Sequence, residues 1–199
     1  MKTQYIGVKK YKPEKRVYFF GLLTGGAAMR SEWIPKGDFE HILAALTPEN
    51  RLACEVSLAT GLRIGDVLAL TPDKVRKQRF TIREQKTGKT RTIRLPNELL
   101  CRCMACTGQH YIFEHRLNGR QHRTRQAVFK DLKRVAKLFN VHKNITPHSA
   151  RKVYAVEEFE QSGGNLQRVK RLLNHSDEAV TMIYAMANIV GKRRKFAKK

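Results

Sequence analysis

One short stretch of the chain changes its hydrophobic period, and this stretch limits the folds that the chain can adopt. Between Arg79 and Leu95 apolar residues alternate with polar ones, as in a half-buried strand, and Lys86-Thr87-Gly88-Lys89 interrupts the alternation with a turn. Most of the sequence on either side carries apolar residues at helical spacing instead. We therefore predict a mainly α-helical chain with a small antiparallel β-sheet that this hairpin forms.

Capping and breaking residues divide the helical part of the chain. Thr47 followed by Pro48 is suited to begin a helix, and Gly61 is suited to end it. Apolar residues at helical spacing predict the other helices, which are Asp38–Leu46, Ile64–Leu70, Thr124–Phe139, Ser149–Gln161, Leu166–Leu173 and Glu178–Ala187.

The two ends of the chain depart from this helical pattern. Residues 1–32 are too few for an independent domain, and Tyr5–Tyr11 and Arg16–Leu23 are compatible with short strands. We expect an N-terminal arm or partial hairpin there, followed by one domain over residues 33–187. Residues 188–199 form a basic tail, because six of the last eight residues are Lys or Arg.

The charge balance points to a polyanionic partner. The 199 residues include 40 Lys and Arg but only 17 Asp and Glu, so the formal net charge is +23. A positive field of this size favours nucleic acid as the partner. No run approaches the roughly 18 apolar residues of a membrane span, and no apolar segment of a secretory signal follows the N-terminus. We expect no membrane association and a reduced, cytoplasmic environment.

A group of cysteines raises the question of a metal site. Cys101, Cys103 and Cys106 precede His110 and His115, and a structural zinc ion takes four such ligands in a tetrahedron. The Cys-x-Cys-x-x-Cys spacing is not that of a regular zinc knuckle. Apolar cysteines on a helix explain the pattern more simply, so we predict neither a metal nor another cofactor.

Several polar residues are ambiguous when they are considered one at a time. His148 and Arg151 are one helical turn apart and would share a face of a helix. Arg63 follows the glycine that ends an apolar helix, and Asp66 is placed to form an ordinary surface ion pair with it. They become informative when they are considered together and in chain order. The set is Arg63, Lys86, His148, Arg151, His175 and Tyr184.

In this order the chain resembles the catalytic domain of the tyrosine recombinases, the phage integrase family. The resemblance covers roughly residues 33–184. It departs from the family pattern at Asn174, where the family commonly has Gly, and at Lys152, where it has His. The matching stretches are Ala59–Asp66 for the first box, Lys86 in the hairpin turn, His148–Arg151 for the His-x-x-Arg box, Gly163–Leu166 for a bridging pattern, and Leu172–Ser176 with Thr181–Tyr184 for the last histidine and the nucleophile.

The resemblance implies a site-specific recombinase that cleaves and rejoins double-stranded DNA through a 3′-phosphotyrosine, without metal or ATP. Tyr184 would be the nucleophile, because tyrosine forms covalent intermediates. Arg63 and Arg151 would hold the phosphate, since guanidinium groups bind its oxygens in pairs. Lys86 would protonate the leaving 5′ oxygen, although Lys89 on the same turn is an alternative.

The remaining roles and partners follow from the same resemblance. His148 would accept the tyrosine proton or hold the phosphate, and His175 would donate a hydrogen bond to a non-bridging oxygen. Asp66 would orient the first box. The implied assembly is a homotetramer on DNA in the nucleoid, and residues 1–32 are too few for the core-binding domain that usually precedes the catalytic domain.

Three other functions stay open at the level of sequence. The first is a non-catalytic DNA-binding or regulatory protein on the same fold, which would not need the complete residue set. The second is a topoisomerase-like enzyme that nicks and reseals one strand, which would need the same residues. An RNA-binding protein of ribosomal type is a more distant third.

Overall fold

The computed structural model describes residues 31–173 of the chain. The strands predicted in the N-terminal arm, the helix Glu178–Ala187 and the basic tail lie outside the described residues, as do His175 and Tyr184. The described elements, in chain order, are α1 (Lys36–Ala44), α2 (Pro48–Thr60), α3 (Ile64–Leu68), α4 (Pro72–Val75), β1 (Arg79–Arg83), β2 (Thr90–Arg94), α5 (Asn97–Ala105), β3 (Glu114–His115), β4 (Asn118–His122), α6 (Arg125–Leu138), α7 (Pro147–Gln161) and α8 (Leu166–Leu173).

The predicted fold class is confirmed, since the described part is mostly helical with two small antiparallel sheets. β1 pairs with β2 as the period-two segment predicted, with Phe80 opposite Ile93. The pair β3–β4 was not predicted, because its sequence is polar, largely exposed and without alternation. None of the described helices is long and apolar enough to cross a membrane.

Helix α2 is the centre of the core. It packs against α1, α3, α5, α6 and α7, and Leu52, Ala53 and Val56 on it are buried. Helix α7 contributes Ala150 and Val153 to the same core. A helix covered on several sides by other helices has a fixed direction, so the residues at its C-terminal end are held in a defined place.

The start of α2 is fastened to α6 through one carboxylate. Thr47 is the N-cap residue and Pro48 the first helical residue, as predicted. The Thr47 hydroxyl, however, donates to Asp131 of α6 at 2.9 Å, and the Thr47 N–H and the Asn50 amide donate to the same oxygen at 2.9 and 2.8 Å. Burial alone would raise the pKa of Asp131, but these hydrogen bonds hold it below its ordinary value.

Helix α6 has the predicted amphipathic form, with Val128, Leu132 and Val135 buried. The apolar spacing also predicts Phe129 and Phe139 on the apolar side of this helix, but Phe129 is 40% exposed and Phe139 is 46% exposed. Phe129 lies at the margin of the apolar stripe, whereas Phe139 is the C-cap residue beyond the last turn of the helix. The Lys133 ammonium lies 5.5 Å from the centre of the Phe129 ring, a cation–π contact that accommodates this ring near water.

Candidate active site

The turn after α2 determines where Arg63 lies. Gly61 ends the helix in the left-handed conformation, with φ of 66°, and the ring of Tyr154 occupies the space that a Cβ atom on Gly61 would need. Only glycine meets both conditions without strain. The chain therefore reverses tightly at this point, and Arg63 becomes the N-cap residue of α3 with 7% of its surface exposed.

The carboxylate of Glu84 is the partner of this buried arginine. Arg63 Nη1 donates to Glu84 Oε2 at 2.7 Å, and the Thr87 hydroxyl donates to the same oxygen at 2.9 Å. Arg91 Nη1 lies 3.9 Å from Glu84 Oε1. Arg63 therefore belongs to a buried charge cluster, rather than to the surface ion pair with Asp66 that the sequence left open.

Asp66 links α3 to the end of β1. Its Oδ1 accepts a hydrogen bond from the Gln85 N–H at 2.9 Å, and the residue is buried. Burial raises the pKa of Asp66 above its ordinary value, and the nearby Glu84 charge acts in the same direction. The Gln85 N–H and the charges of Arg63 and Arg151 oppose this shift, so both arginines lie within electrostatic reach of one carboxylate.

Arg151 joins three parts of the structure at the same place. Its Nη1 donates to the Gly61 carbonyl at 2.6 Å, and its Nη2 donates to the Leu173 carbonyl at 2.8 Å. Only 4% of its surface is exposed. The guanidinium therefore connects α7 to the turn before Arg63 and to the last residue of α8.

The beginning of α7 presents His148 at the surface. A capping box between Thr146 and Ser149 starts the helix, and Pro147 is its first residue. His148 is exposed, whereas Arg151 one turn later is buried. The two residues are therefore one turn apart on α7, as predicted, but they differ in burial.

The hairpin turn carries both candidate lysines. The Glu84 N–H donates to the Lys89 carbonyl at 2.9 Å, and the Gly88 N–H donates to the Glu84 carbonyl at 2.8 Å. Lys86 lies inside this closed turn and Lys89 at its base, and both side chains are exposed. Because Glu84 also contacts Arg63, one residue ties the lysine turn to the buried arginine.

The structure thus brings Arg63, Arg151 and the turn that carries Lys86 together. His175 and Tyr184 lie outside the described residues. Along the chain, His175 comes two residues after Leu173, whose carbonyl is bonded to Arg151.

Two charged residues of this cluster, Glu84 and Arg91, were missed by the sequence analysis. Arg91 donates to the Thr60 carbonyl and to Tyr154, and burial lowers the pKa of Arg91. Burial also raises the pKa of Tyr154. The period-two pattern of the hairpin already indicated these two residues. Glu84 is two positions after Ile82 and Arg91 is two positions before Ile93, so both side chains lie on the core side of the hairpin, and their charges are opposite.

The cysteine group lies on and next to α5, away from the charge cluster. Cys103 is buried, whereas Cys101 and Cys106 are exposed. Burial raises the pKa of Cys103 to about 12, so its thiol stays protonated at neutral pH, although metal ligands are thiolates. Over residues 31–173, no three His, Cys, Asp or Glu side chains are arranged to hold a metal ion.

Comparison with known proteins agrees with this arrangement. The sequence model of the phage integrase family matches residues 32–189, which is most of the chain and spans the turn after α2, the hairpin and α7. The chain belongs to the phage integrase family.

Other members of the phage integrase family are similar to this chain at modest identity. The integrase of Escherichia phage P2 is 28% identical over 153 residues, which are 77% of this chain and 42% of the phage protein. The tyrosine recombinase XerD of Lacticaseibacillus casei is 30% identical over 149 residues, which are 68% of this chain and 49% of that protein. The chain therefore spans about half the length of these relatives or less.

Solved structures of integrases share the fold. The lambda integrase catalytic core matches 75% of this chain and 94% of its own, with a TM-score of 0.62 and 21% identity. A lambda integrase dimer bound to a COC′ core site matches 79% of this chain and 60% of its own, with a TM-score of 0.66 and 20% identity. At these low sequence identities, the TM-scores show that the chain has the fold of the integrase catalytic core.

The buried charge cluster generates a stability prediction. We expect Glu84→Gln to lower the free energy of unfolding by about 3–5 kcal/mol, because it leaves Arg63 and Arg91 buried without the carboxylate between them. Urea unfolding followed by circular dichroism measures the change.

Glu98→Gln is the matched control. Its carboxylate is exposed and lies 3.8 Å from Arg102, so the same chemical change there should leave the unfolding midpoint nearly unchanged. Equal midpoints for Glu84→Gln and Glu98→Gln would show that the Glu84 contacts do not stabilise the fold.

Proposed function

We propose that this chain is the catalytic part of a site-specific DNA recombinase that cleaves and rejoins duplex DNA through a 3′-phosphotyrosine. The observation that carries the proposal is the convergence of two buried arginines, Arg63 and Arg151, next to the turn of Lys86. Burying a guanidinium group costs desolvation free energy, which opposes folding. A role in stabilising the charge of a reacting phosphate explains why two such groups are present. Membership of the integrase family supports the same activity.

The two arginines would stabilise the charge that develops on phosphorus. Attack on a phosphodiester produces a pentacoordinate species with more negative charge on its non-bridging oxygens. Arg63 and Arg151 would each donate to these oxygens. Their guanidinium groups are already ordered by Glu84, Gly61 and Leu173, so little reorganisation would accompany the reaction.

The other residues would move protons. In cleavage the Tyr184 oxygen forms a bond to phosphorus, and its proton passes to His148. The bond from phosphorus to the 5′ oxygen breaks, and Lys86 donates the proton that this oxygen takes up. His175 donates a hydrogen bond to a non-bridging oxygen.

The covalent step explains how rejoining proceeds without an external energy source. The phosphotyrosine keeps the energy of the broken phosphodiester, and attack by a 5′ hydroxyl returns the phosphate to DNA. Attack by the hydroxyl of the same strand reseals the break, whereas attack by that of a second strand completes strand exchange. The chemistry needs neither a metal nor ATP in this scheme.

The partner and the assembly follow from the same proposal. The net charge of +23 suits duplex DNA, and an affinity that falls steeply with salt is expected. Lambda integrase has been solved as a dimer on a core site and as a tetramer on a Holliday junction. We propose a homotetramer on DNA for the protein that contains this chain, associated with the nucleoid in the cytoplasm.

A covalent trapping assay tests the proposal. A nicked suicide substrate releases the short strand after cleavage, so the covalent adduct accumulates and migrates slowly on a denaturing gel. We expect the wild type to form this adduct in the presence of chelator. Tyr184→Phe should form none while it binds DNA with unchanged affinity, because only the nucleophilic oxygen is lost.

The other outcomes separate the alternatives. Salt-sensitive DNA binding with no adduct from the wild type would contradict the catalytic proposal and favour a binding protein on the same fold. An adduct accompanied by relaxation of one plasmid, with no exchange between two sites, would favour the topoisomerase-like enzyme.

The two lysines of the hairpin turn allow the general acid to be identified. Because Lys86 lies inside the turn, we expect Lys86→Met to slow cleavage of ordinary DNA by roughly 10²–10⁴-fold. A substrate with sulfur in place of the scissile 5′ oxygen should restore its rate, since a thiol with a pKa of about 8.5 departs without a proton donor.

Lys89→Met is the matched control for this experiment. It removes the same charge from the same turn, and we expect both substrates to react at nearly the wild-type rate. Sulfur rescue of Lys89→Met in place of Lys86→Met would transfer the role to Lys89. Loss of both reactions in Lys86→Met would show that Lys86 does not act as the acid.

A further inference from the structure

The solvent side of the β1–β2 hairpin has an unusual composition. Alternate residues of the two strands point away from the core, and each of them is either Arg or Thr. We call this surface the arginine face, and its residues are Arg79, Thr81, Arg83, Thr90, Thr92 and Arg94. A strand needs polar residues on its exposed side, but it does not need them all to be uncharged or positive.

The two arginines farthest from the turn face each other directly. Arg79 and Arg94 are cross-strand partners. Like charges at such a position destabilise a hairpin, whereas paired threonines stabilise it. The neighbouring pair has that favourable form, because the hydroxyls of Thr81 and Thr92 are 3.3 Å apart.

Within the described part of the chain, this arginine pair has no acidic partner. Over residues 31–173, no carboxylate forms an ion pair with Arg79 or Arg94. Elsewhere on the surface Arg51 and Arg102 both pair with Glu55. Among the described residues, the positive charge at the end of the arginine face is therefore not compensated, and an anion can bind there.

A cavity of about 480 Å³ lies at this end of the hairpin, lined by Gln78, Arg79, Thr92 and Arg94. Guanidinium, amide and hydroxyl groups are all hydrogen-bond donors, and guanidinium groups bind phosphate oxygens in a fork geometry. Gln78 is anchored, because its side-chain amide donates to the Asn97 side chain. The chemistry of the cavity therefore suits a phosphate group.

We propose that the arginine face binds backbone phosphates of the duplex beside the cleaved bond, with Arg79 and Arg94 sharing one of them. This inference rests on the proposed function. The face begins at the turn of Lys86 and extends four residues to Arg79, which is about 13 Å at the rise of a strand. If the turn reaches the scissile phosphate, the far end of the arginine face contacts other backbone phosphates, which do not react.

The cross-strand repulsion gives the proposal a distinctive signature. In the free protein the two guanidinium groups repel each other, and a phosphate between them would remove this cost. Replacing both arginines should therefore weaken DNA binding and at the same time stabilise the free protein. An ordinary structural arginine pair would not show opposite effects.

The experiment compares the full chain with the variant Arg79→Thr/Arg94→Thr, on a duplex that the wild type binds. The dissociation constant is measured by fluorescence anisotropy between about 50 and 200 mM salt. We expect the slope of log Kd against log salt to fall by about 1, because the one phosphate that the two arginines share is no longer neutralised. The Tm of the free variant should rise by about 1–3 °C at low salt, because a Thr–Thr pair replaces two like charges.

The matched control is Arg51→Gln/Arg102→Gln, which lowers the net charge by the same amount. It removes arginines that already pair with Glu55, so the salt slope should stay at the wild-type value and the Tm should not rise. The single variant Arg94→Thr provides a second measurement. We expect about half of the slope change of the double variant and a Tm that also rises.

Two results would overturn the inference. One is a slope for Arg79→Thr/Arg94→Thr equal to that of the control, which would assign its binding effect to net charge alone. The other is a Tm that falls, which would make the arginine pair a structural contact. If the wild type bound no duplex in a salt-dependent manner, the proposed function would fail first, and the arginine face would lose its ligand with it.

Discussion

The buried carboxylate of Glu84 is the interaction on which the rest of the site depends. It accepts hydrogen bonds from Arg63 in the turn between α2 and α3 and from Thr87 in the hairpin turn, and it lies 3.9 Å from Arg91 on β2. Three separate parts of the chain therefore meet at one negative charge. Without it, two positive charges would be buried together, and their desolvation would oppose folding. The same contacts fix the guanidinium of Arg63 before any substrate is present, which is the condition for effective electrostatic stabilisation of a reacting phosphate.

Arg151 extends this order to the helices. It donates to the Gly61 carbonyl and to the Leu173 carbonyl, so α7, the turn after α2 and the end of α8 are held by one side chain. Gly61 is required at this turn because its φ is positive and the Tyr154 ring lies against it. In this way the hydrophobic core fixes α2, α2 fixes the turn, and the turn fixes both arginines.

Much of this arrangement could be predicted from the sequence. Gly61 as a helix end, the period-two hairpin and the spacing of His148 and Arg151 are local patterns, and local patterns determine local structure. The partner of Arg63 could not be predicted in the same way, because Glu84 is 21 residues away and the pairing depends on how α2 meets the hairpin. Helix α5 was expected only as the helix that carries the cysteines, without bounds, and the β3–β4 pair was missed because its strands are exposed and lack apolar alternation. The repulsive pair Arg79 and Arg94 became visible only with the strand register.

The central claim is that buried arginines compensate the charge of the reacting phosphate. Replacing a non-bridging oxygen of the scissile phosphate by a methyl group removes that charge and tests the claim directly. We predict that Arg151→Ala cleaves the phosphate substrate far more slowly than the wild type but cleaves the methylphosphonate at a rate that approaches the wild-type rate on the same substrate. A folded, DNA-bound Arg151→Ala protein that is equally inactive on both substrates would contradict the account.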